Sequence, residues 1–122
     1  MGHEFEALSG QILEAAIDVH RALGPGFLES VYENALVVAL GHRGIRLQKQ
    51  QEVRVSFEGQ EVGLHRLDLL VDGQIVVEIK AVKALDEIHF AQLKSYLKAT
   101  NLHTGLLLNF NAPTLVVRRV VL

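Results

Sequence analysis

The stretch Arg66–Lys80, RLDLLVDGQIVVEIK, carries two acids and a lysine at spacings that a hairpin would bring together. Asp72-Gly73 lies between two apolar runs and marks a tight turn. Before the turn, Leu67, Leu69 and Val71 alternate with Arg66, Asp68 and Leu70. After it, Ile75, Val77 and Ile79 alternate with Val76, Glu78 and Lys80. A two-residue turn would pair Val71 with Gln74 and mix the faces. A loop one residue longer, with Gly73 in the left-handed region, pairs Val71 with Ile75, Leu69 with Val77 and Leu67 with Ile79. Only this register gives one uniformly apolar face. It sets Asp68 opposite Glu78 and Arg66 opposite Lys80.

Like charges directly opposite each other destabilise a strand pair. A divalent cation would remove the repulsion, and paired carboxylate oxygens suit Mg²⁺ or Mn²⁺. The plainer alternative is a solvated strand face on which Lys80 neutralises one acid. The hairpin by itself leaves both readings open.

The elements around this hairpin must position it. Residues 5–23 read as a helix, with Leu8, Ile12, Ala15, Ala16, Val19 and Leu23 at helical spacing. Glu4, Glu6 and Glu14 sit towards its start and Arg21 near its end, as the helix dipole prefers. Gly24-Pro25-Gly26 stops it. A second helix is expected over about 27–40, with an apolar stripe of Leu28, Val31, Ala35, Val38 and Ala39. Glu29 and Glu33 lie one turn apart on one flank, which Tyr32 borders. Such a pair is commonly a solvated helix face.

Residues 48–57, 61–71 and 74–81 read as three consecutive strands. Asp86 is placed to N-cap a helix over 87–99, with Phe90, Leu93 and Leu97 as its core contacts. His89, Gln92 and Tyr96 form a separate polar stripe on it, either a surface stripe or a ligand-facing wall. TGLLLNF, Thr104–Phe110, is a strand buried on both faces. Residues 114–121 form a last strand, with Arg118-Arg119 at or near an edge. The expected class is α/β of the α+β kind. Two N-terminal helices precede a three-stranded antiparallel meander, a helix and two further strands of a central mixed sheet.

The bulk properties narrow the function classes. The 122 residues suit one domain, 1–122, that buries about two-thirds of its unfolded surface. The absence of cysteine excludes disulfides, thiolate zinc sites and cysteine nucleophiles, and suits the cytoplasm. No apolar run reaches the length of a membrane span, and MGHEFEALSG reads neither as a signal peptide nor as a myristoylation site. The net charge is −2, so a nucleic-acid partner must be met by a local basic patch. With 6% aromatic residues, a base-stacking platform is not expected.

The segment GFLESVY, Gly26–Tyr32, matches a GxxExxY signature that continues as GFLESVYENAL. RLDLLVDGQIVVEIKAV and HFAQLKSYLKATNLHTGLLLNF extend the match to about residues 9–120. The chain resembles the GxxExxY protein family of the PD-(D/E)xK nuclease-like superfamily, which implies a restriction-endonuclease-like core. By that resemblance, Asp68 and Glu78-x-Lys80 would be the signature acid, second acid and lysine. The Ile79 carbonyl would add a metal ligand, Glu29 would be the helical acid of the metal shell, and Gln92 and Tyr96 would match a QxxxY stripe that supports the site or meets the substrate backbone. Leu67 stands where proline usually precedes the first acid. His20 falls in the VHxxLGPG context without an assigned role.

The reading that follows is an Mg²⁺- or Mn²⁺-dependent nuclease acting on DNA or RNA. Asp68, Glu78 and Glu29 would hold the metal, and Lys80 would orient water or stabilise developing charge. Arg66 would contact a phosphate or pair with Glu78. The runner-up is a catalytically silent module of the same fold that binds nucleic acid or a protein partner. A third reading is self-association as a homodimer through the edge strand Leu115–Leu122.

Overall fold

The computed structural model describes residues 2–122, with side chains from Glu6 onward. Met1 and the side chain of Glu4 lie outside the described residues. Eight elements follow in order: α1 (Gly2–Leu23), α2 (Glu29–His42), β1 (Leu47–Phe57), β2 (Gln60–Val71), β3 (Ile75–Lys80), α3 (Glu87–Thr100), β4 (Thr104–Asn109) and β5 (Val116–Val121). They agree with the expected series within a few residues at each boundary.

One five-stranded sheet runs in the order β1-β2-β3-β4-β5. β1–β2, β2–β3 and β4–β5 are antiparallel, and β3–β4 is parallel across the α3 crossover. The sheet is mixed, as expected, and β5 is an edge. Every residue of β4 is buried, which accounts for its unbroken apolar run.

Helices cover both faces. α1 and α2 bury Ile12, Ala15, Ala16, Val19, Leu36 and Leu40 against Leu69, Val71, Ile75, Val77, Ile79, Leu106 and Leu108. α3 buries Leu93 and Leu97 against Val76, Leu107, Leu67, Val53 and Val120 on the opposite face. Burial of these aliphatic side chains, at about 25 cal/mol per Å² of apolar surface, is what chiefly holds the three layers together.

The second helix corrects an expectation. It starts at Glu29, and its buried residues are Tyr32, Glu33, Leu36 and Leu40. Leu28 is its N-cap and, like Val38, is exposed. This helix is apolar nearly all round, so several stripes of similar quality can be drawn on it. The aromatic Tyr32 decides which one faces inward. Its ring stacks on Phe110 with centroids 4.6 Å apart. Its hydroxyl donates to the Gly24 carbonyl at 2.6 Å and accepts from the Phe27 N–H at 3.1 Å. Gly24 and Gly26 both have positive φ, +69° and +111°, and Gly26 lies where a side chain would be strained. The tyrosine therefore closes a loop that only glycine could shape.

Candidate metal and acid site

The β2–β3 hairpin has the longer turn. Val71 pairs with Ile75, Leu70 with Val76 and Leu69 with Val77. Asp72 and Gly73 both occupy the left-handed region, with φ of +52° and +65°. Aspartate tolerates that conformation better than most residues.

Beyond Leu69 and Val77 the ladder stops. The expected direct pairs Asp68–Glu78, Leu67–Ile79 and Arg66–Lys80 do not form. Side chains replace the backbone bonds there. The Asp68 N–H donates to Glu78 Oε2 at 2.8 Å, and the Ile79 N–H donates to Asp68 Oδ2 at 2.7 Å. The two strands splay, and the carboxyls converge in the gap.

The cause lies partly on β1. Its register with β2 is continuous through Lys49–Leu69 and Gln51–Leu67, but the position between them is occupied by Gln50 with φ +55°. A non-glycine residue held in that region costs on the order of 1 kcal/mol. The kink exchanges faces along β2: Leu69 packs under α1 and α2, whereas Leu67 packs under α3. A regular strand would keep them together. Arg66 is turned away from the acids as a result. It pairs with Glu52 on β1, Nη2 to Oε2 3.4 Å, and contacts neither Glu78 nor Lys80.

Burial dominates the electrostatics of the pair. Glu78 is buried and its carboxyl is pushed up to about 8, first by desolvation and then by the charge of Asp68. Asp68 is pushed up to about 6, again first by desolvation, with the Ile79 N–H and Lys80 acting the other way. The pair therefore keeps a proton near neutrality in the absence of another cation. Lys80 is half-buried, and its charge acts on Asp68, Glu78 and His65 alike.

Two neighbours of the pair lie outside the expected site residues. Glu33, on α2, is buried, and both its oxygens accept from Gln50 Nε2 at 3.0 and 3.1 Å. The Lys49 ammonium lies 3.7 Å from its Oε2. The charge of Glu33 raises the carboxyls of both Asp68 and Glu78. His65, on β2, is the other. Its ring lies flat on Tyr96, with centroids 3.6 Å apart and planes 13° apart. Its Nε2 is buried without a hydrogen-bond partner, 3.7 Å from Glu78 Oε1. Desolvation, then Lys80, lowers its pKa.

The other predicted residues divide. Glu29 is exposed, and its carboxylate accepts the Ala81 N–H at 3.1 Å, so it tethers α2 to the end of β3. Its charge still acts on Asp68, more weakly than that of Glu33. Tyr96 reaches the acids: burial, then Glu78 and Asp68, raise its phenol. Gln92 is exposed on α3, and its side chain makes no hydrogen bond among the described residues. His89 belongs to the start of α3, where its Nδ1 accepts the Asp86 N–H at 2.9 Å. His20 is structural: its Nε2–H donates to the Ala112 carbonyl at 2.8 Å, beside Phe110.

The described residues contain no group of three or more His, Cys, Asp or Glu side chains that could hold a metal ion. Two carboxylates remain, with Asp68 Oδ1 and Glu78 Oε1 free of hydrogen bonds among the described residues. These two oxygens are hard donors. Mg²⁺ commonly takes only one or two carboxylates and completes its shell with water and phosphate oxygens. The donor chemistry therefore fits such an ion.

A profile of the PD-(D/E)XK nuclease superfamily matches residues 6–120. No curated protein matches the chain. Among solved structures, the chain is similar to the crystal structure of SSO0001, with 22% identity, a TM-score of 0.59 and coverage of 75% of this chain. The chain corresponds to 48% of SSO0001, about half its length. At that identity the likeness concerns the fold. No helix among the described residues is long and apolar enough to cross a membrane.

Proposed function

The chain belongs to the PD-(D/E)XK nuclease superfamily, and on that premise we propose that it is a divalent-metal-dependent nuclease of the GxxExxY group, with Asp68 and Glu78 as its metal-binding acids. The observation that carries the proposal is the acid pair in the β2–β3 gap. Each carboxylate spends one oxygen on the opposite strand's N–H and keeps the other free. An Mg²⁺ or Mn²⁺ ion held there would neutralise a phosphodiester's charge and lower the pKa of water. Lys80, on the same face as Glu78, orients the nucleophile or offsets charge on the phosphoryl oxygens. Glu33, held by Gln50, supports the pair through its charge rather than as a ligand, and more strongly on Asp68 than Glu29 does. His65 and Tyr96 form the wall beside Glu78.

The test is cleavage of single- and double-stranded DNA and RNA with Mn²⁺, alongside calorimetry of Mn²⁺ binding. Wild type should cleave at least one substrate. Asp68→Asn and Glu78→Gln should lose both binding and cleavage, whereas Lys80→Ala should lose cleavage and keep the metal. Equal Mn²⁺ binding by wild type and the acid variants rejects the site.

A second reading has its own support. The acids are raised and partly self-satisfied, and Glu29 is committed to Ala81, as suits a silent nucleic-acid-binding module. Nucleic-acid binding without turnover in the same assay selects it. The β5 edge, with Val121 and Leu122 exposed, leaves a homodimer open to light scattering.

A further inference from the structure

On the α3 face of the sheet, next to Lys80, lies a groove of about 310 Å³. Lys83, Leu85, Phe90, Asn109, Val116 and Arg118 line it, and no acid does. Asp86 and Glu87 begin α3 outside the lining. Neither Lys83 nor Arg118 enters an ion pair among the described residues. Arg118 Nη1 donates to the Val117 carbonyl at 2.8 Å, so the groove carries two cations whose charge no acid among the described residues pairs, together with the apolar side chains of Leu85, Phe90 and Val116.

The groove is continuous with the acid site through β3. Lys80 is in register with Asn109, and the Phe110 N–H donates to the Lys80 carbonyl at 2.9 Å. Buried Asn109 then fixes the chain that follows. Its Oδ1 accepts the Val82 N–H at 3.1 Å, and its Nδ2 donates to the Val82 carbonyl at 2.9 Å. Lys83 follows directly, within roughly 11 Å of Lys80 along the backbone. Arg118 is in register with Leu107, which is itself in register with Glu78. Glu78, Leu107 and Arg118 therefore form one row across the sheet. Arg118 is thus two strands from Glu78 along that row, and Lys83 is three residues beyond Lys80.

We propose that this groove takes a single-stranded nucleic-acid backbone on one side of the scissile phosphate, with its phosphates on Lys83 and Arg118 and a base against Phe90 and Leu85. The proposal rests on the nuclease reading of the acid site and adds the path of the substrate. Charge complementarity selects the occupant: the lining offers cations and apolar surface, the two features that hold single strands. A base can meet Phe90 and Leu85 only when it is unpaired, which selects a single strand over a duplex. An extended strand can lay one nucleotide into it, whereas paired and stacked bases cannot enter.

The experiment measures fluorescence anisotropy of a labelled oligothymidylate without divalent metal across a salt series, using the whole chain and the Lys83→Gln/Arg118→Gln double variant. Both side chains are exposed, and unchanged thermal unfolding verifies that the variant folds. Losing two phosphate contacts should lower the slope of log K against log salt by about 1.4. Phe90→Ala should weaken binding with the slope unchanged. An unchanged slope and affinity in the double variant, with wild type still cleaving in Mn²⁺, overturns the groove and leaves the acid site standing. Wild type that neither binds nor cleaves overturns both. Tighter binding of the matching duplex, with the same loss of slope, overturns the single-strand assignment.

Discussion

Asp68 and Glu78 each hold the strand that the other comes from: Glu78 Oε2 accepts the Asp68 N–H at 2.8 Å, and Asp68 Oδ2 accepts the Ile79 N–H at 2.7 Å. The hairpin is thereby joined by its acids at the point where its ladder opens. These bonds lower the pKa of each acid, and burial outweighs them in both.

Stability should therefore depend on pH in the sense opposite to that of an ordinary salt-bridged carboxylate. Glu78 is raised in the folded chain from 4.5 to about 8. Between those values the folded chain retains a proton that the unfolded chain has released, so stability is greatest below the lower value and falls as pH rises through the upper one. The urea midpoint should be higher near pH 5 than near pH 7.5, both inside that window. Glu78→Gln should flatten the dependence, as should saturating Mn²⁺. A midpoint that rises with pH in wild type contradicts the burial of the pair.

Glu33 should matter more to metal binding than Glu29. Glu33 is buried, fixed by Gln50, and raises both acids, whereas Glu29 is exposed and serves the Ala81 N–H. Glu33→Gln should weaken Mn²⁺ affinity by about 10–100-fold, as loss of a supporting residue commonly does. Glu29→Gln should weaken it less. Calorimetry on the two variants decides, and a larger loss for Glu29→Gln would restore it to the shell.

Gly105 should not tolerate a methyl group. A Cβ there would lie 2.8–3.0 Å from three atoms of the buried Leu93 side chain, where α3 packs on β4. Gly105→Ala should cost about 1–3 kcal/mol through overpacking and lower the thermal midpoint by roughly 4–10 °C. A paired Gly105→Ala/Leu93→Ala variant should recover part of the loss caused by Leu93→Ala alone. Scanning calorimetry reads both.

The signature tyrosine should prove structural. Tyr32→Phe removes a donor to the Gly24 carbonyl and an acceptor of the Phe27 N–H while keeping the stack on Phe110. The expected cost is about 1–3 kcal/mol, seen as a lower urea midpoint at unchanged m. Mn²⁺ binding should not change. A variant with normal stability and lost metal binding would assign Tyr32 to the chemistry instead.

Local pattern makes much of this molecule legible. Alternation and the Asp72-Gly73 turn are enough to obtain the Val71–Ile75 register, and apolar continuity marks β4 as buried on both faces. The missing part stems largely from one backbone angle. Gln50 in the left-handed region has no compositional signature, yet the kink it marks separates Leu67 from Leu69. On an unbroken strand, His65 would share a face with Leu69 and point away from Glu78, whereas Arg66 would lie beside the acids. The kink reverses both, which is why alternation alone passes over His65 and misplaces Arg66. Glu33 is hidden for another reason: an acid on a nearly all-apolar helix looks like the wet face until the partner that satisfies it, Gln50, is known.

The bond from His20 to the Ala112 carbonyl spans 92 positions, and Tyr32 rests on Phe110. A ribosome delivering about 5–20 residues per second leaves the opening helices waiting on the order of 4–16 s for the segment they clasp. Through that interval β2 and β3 can cover part of their apolar sides, but Leu106, Leu108 and Phe110 are still missing. The layer they form is therefore sealed only once Phe110 and Ala112 have been made, and a nascent chain stalled before Phe110 would present those helices, incompletely covered, to chaperones and proteases.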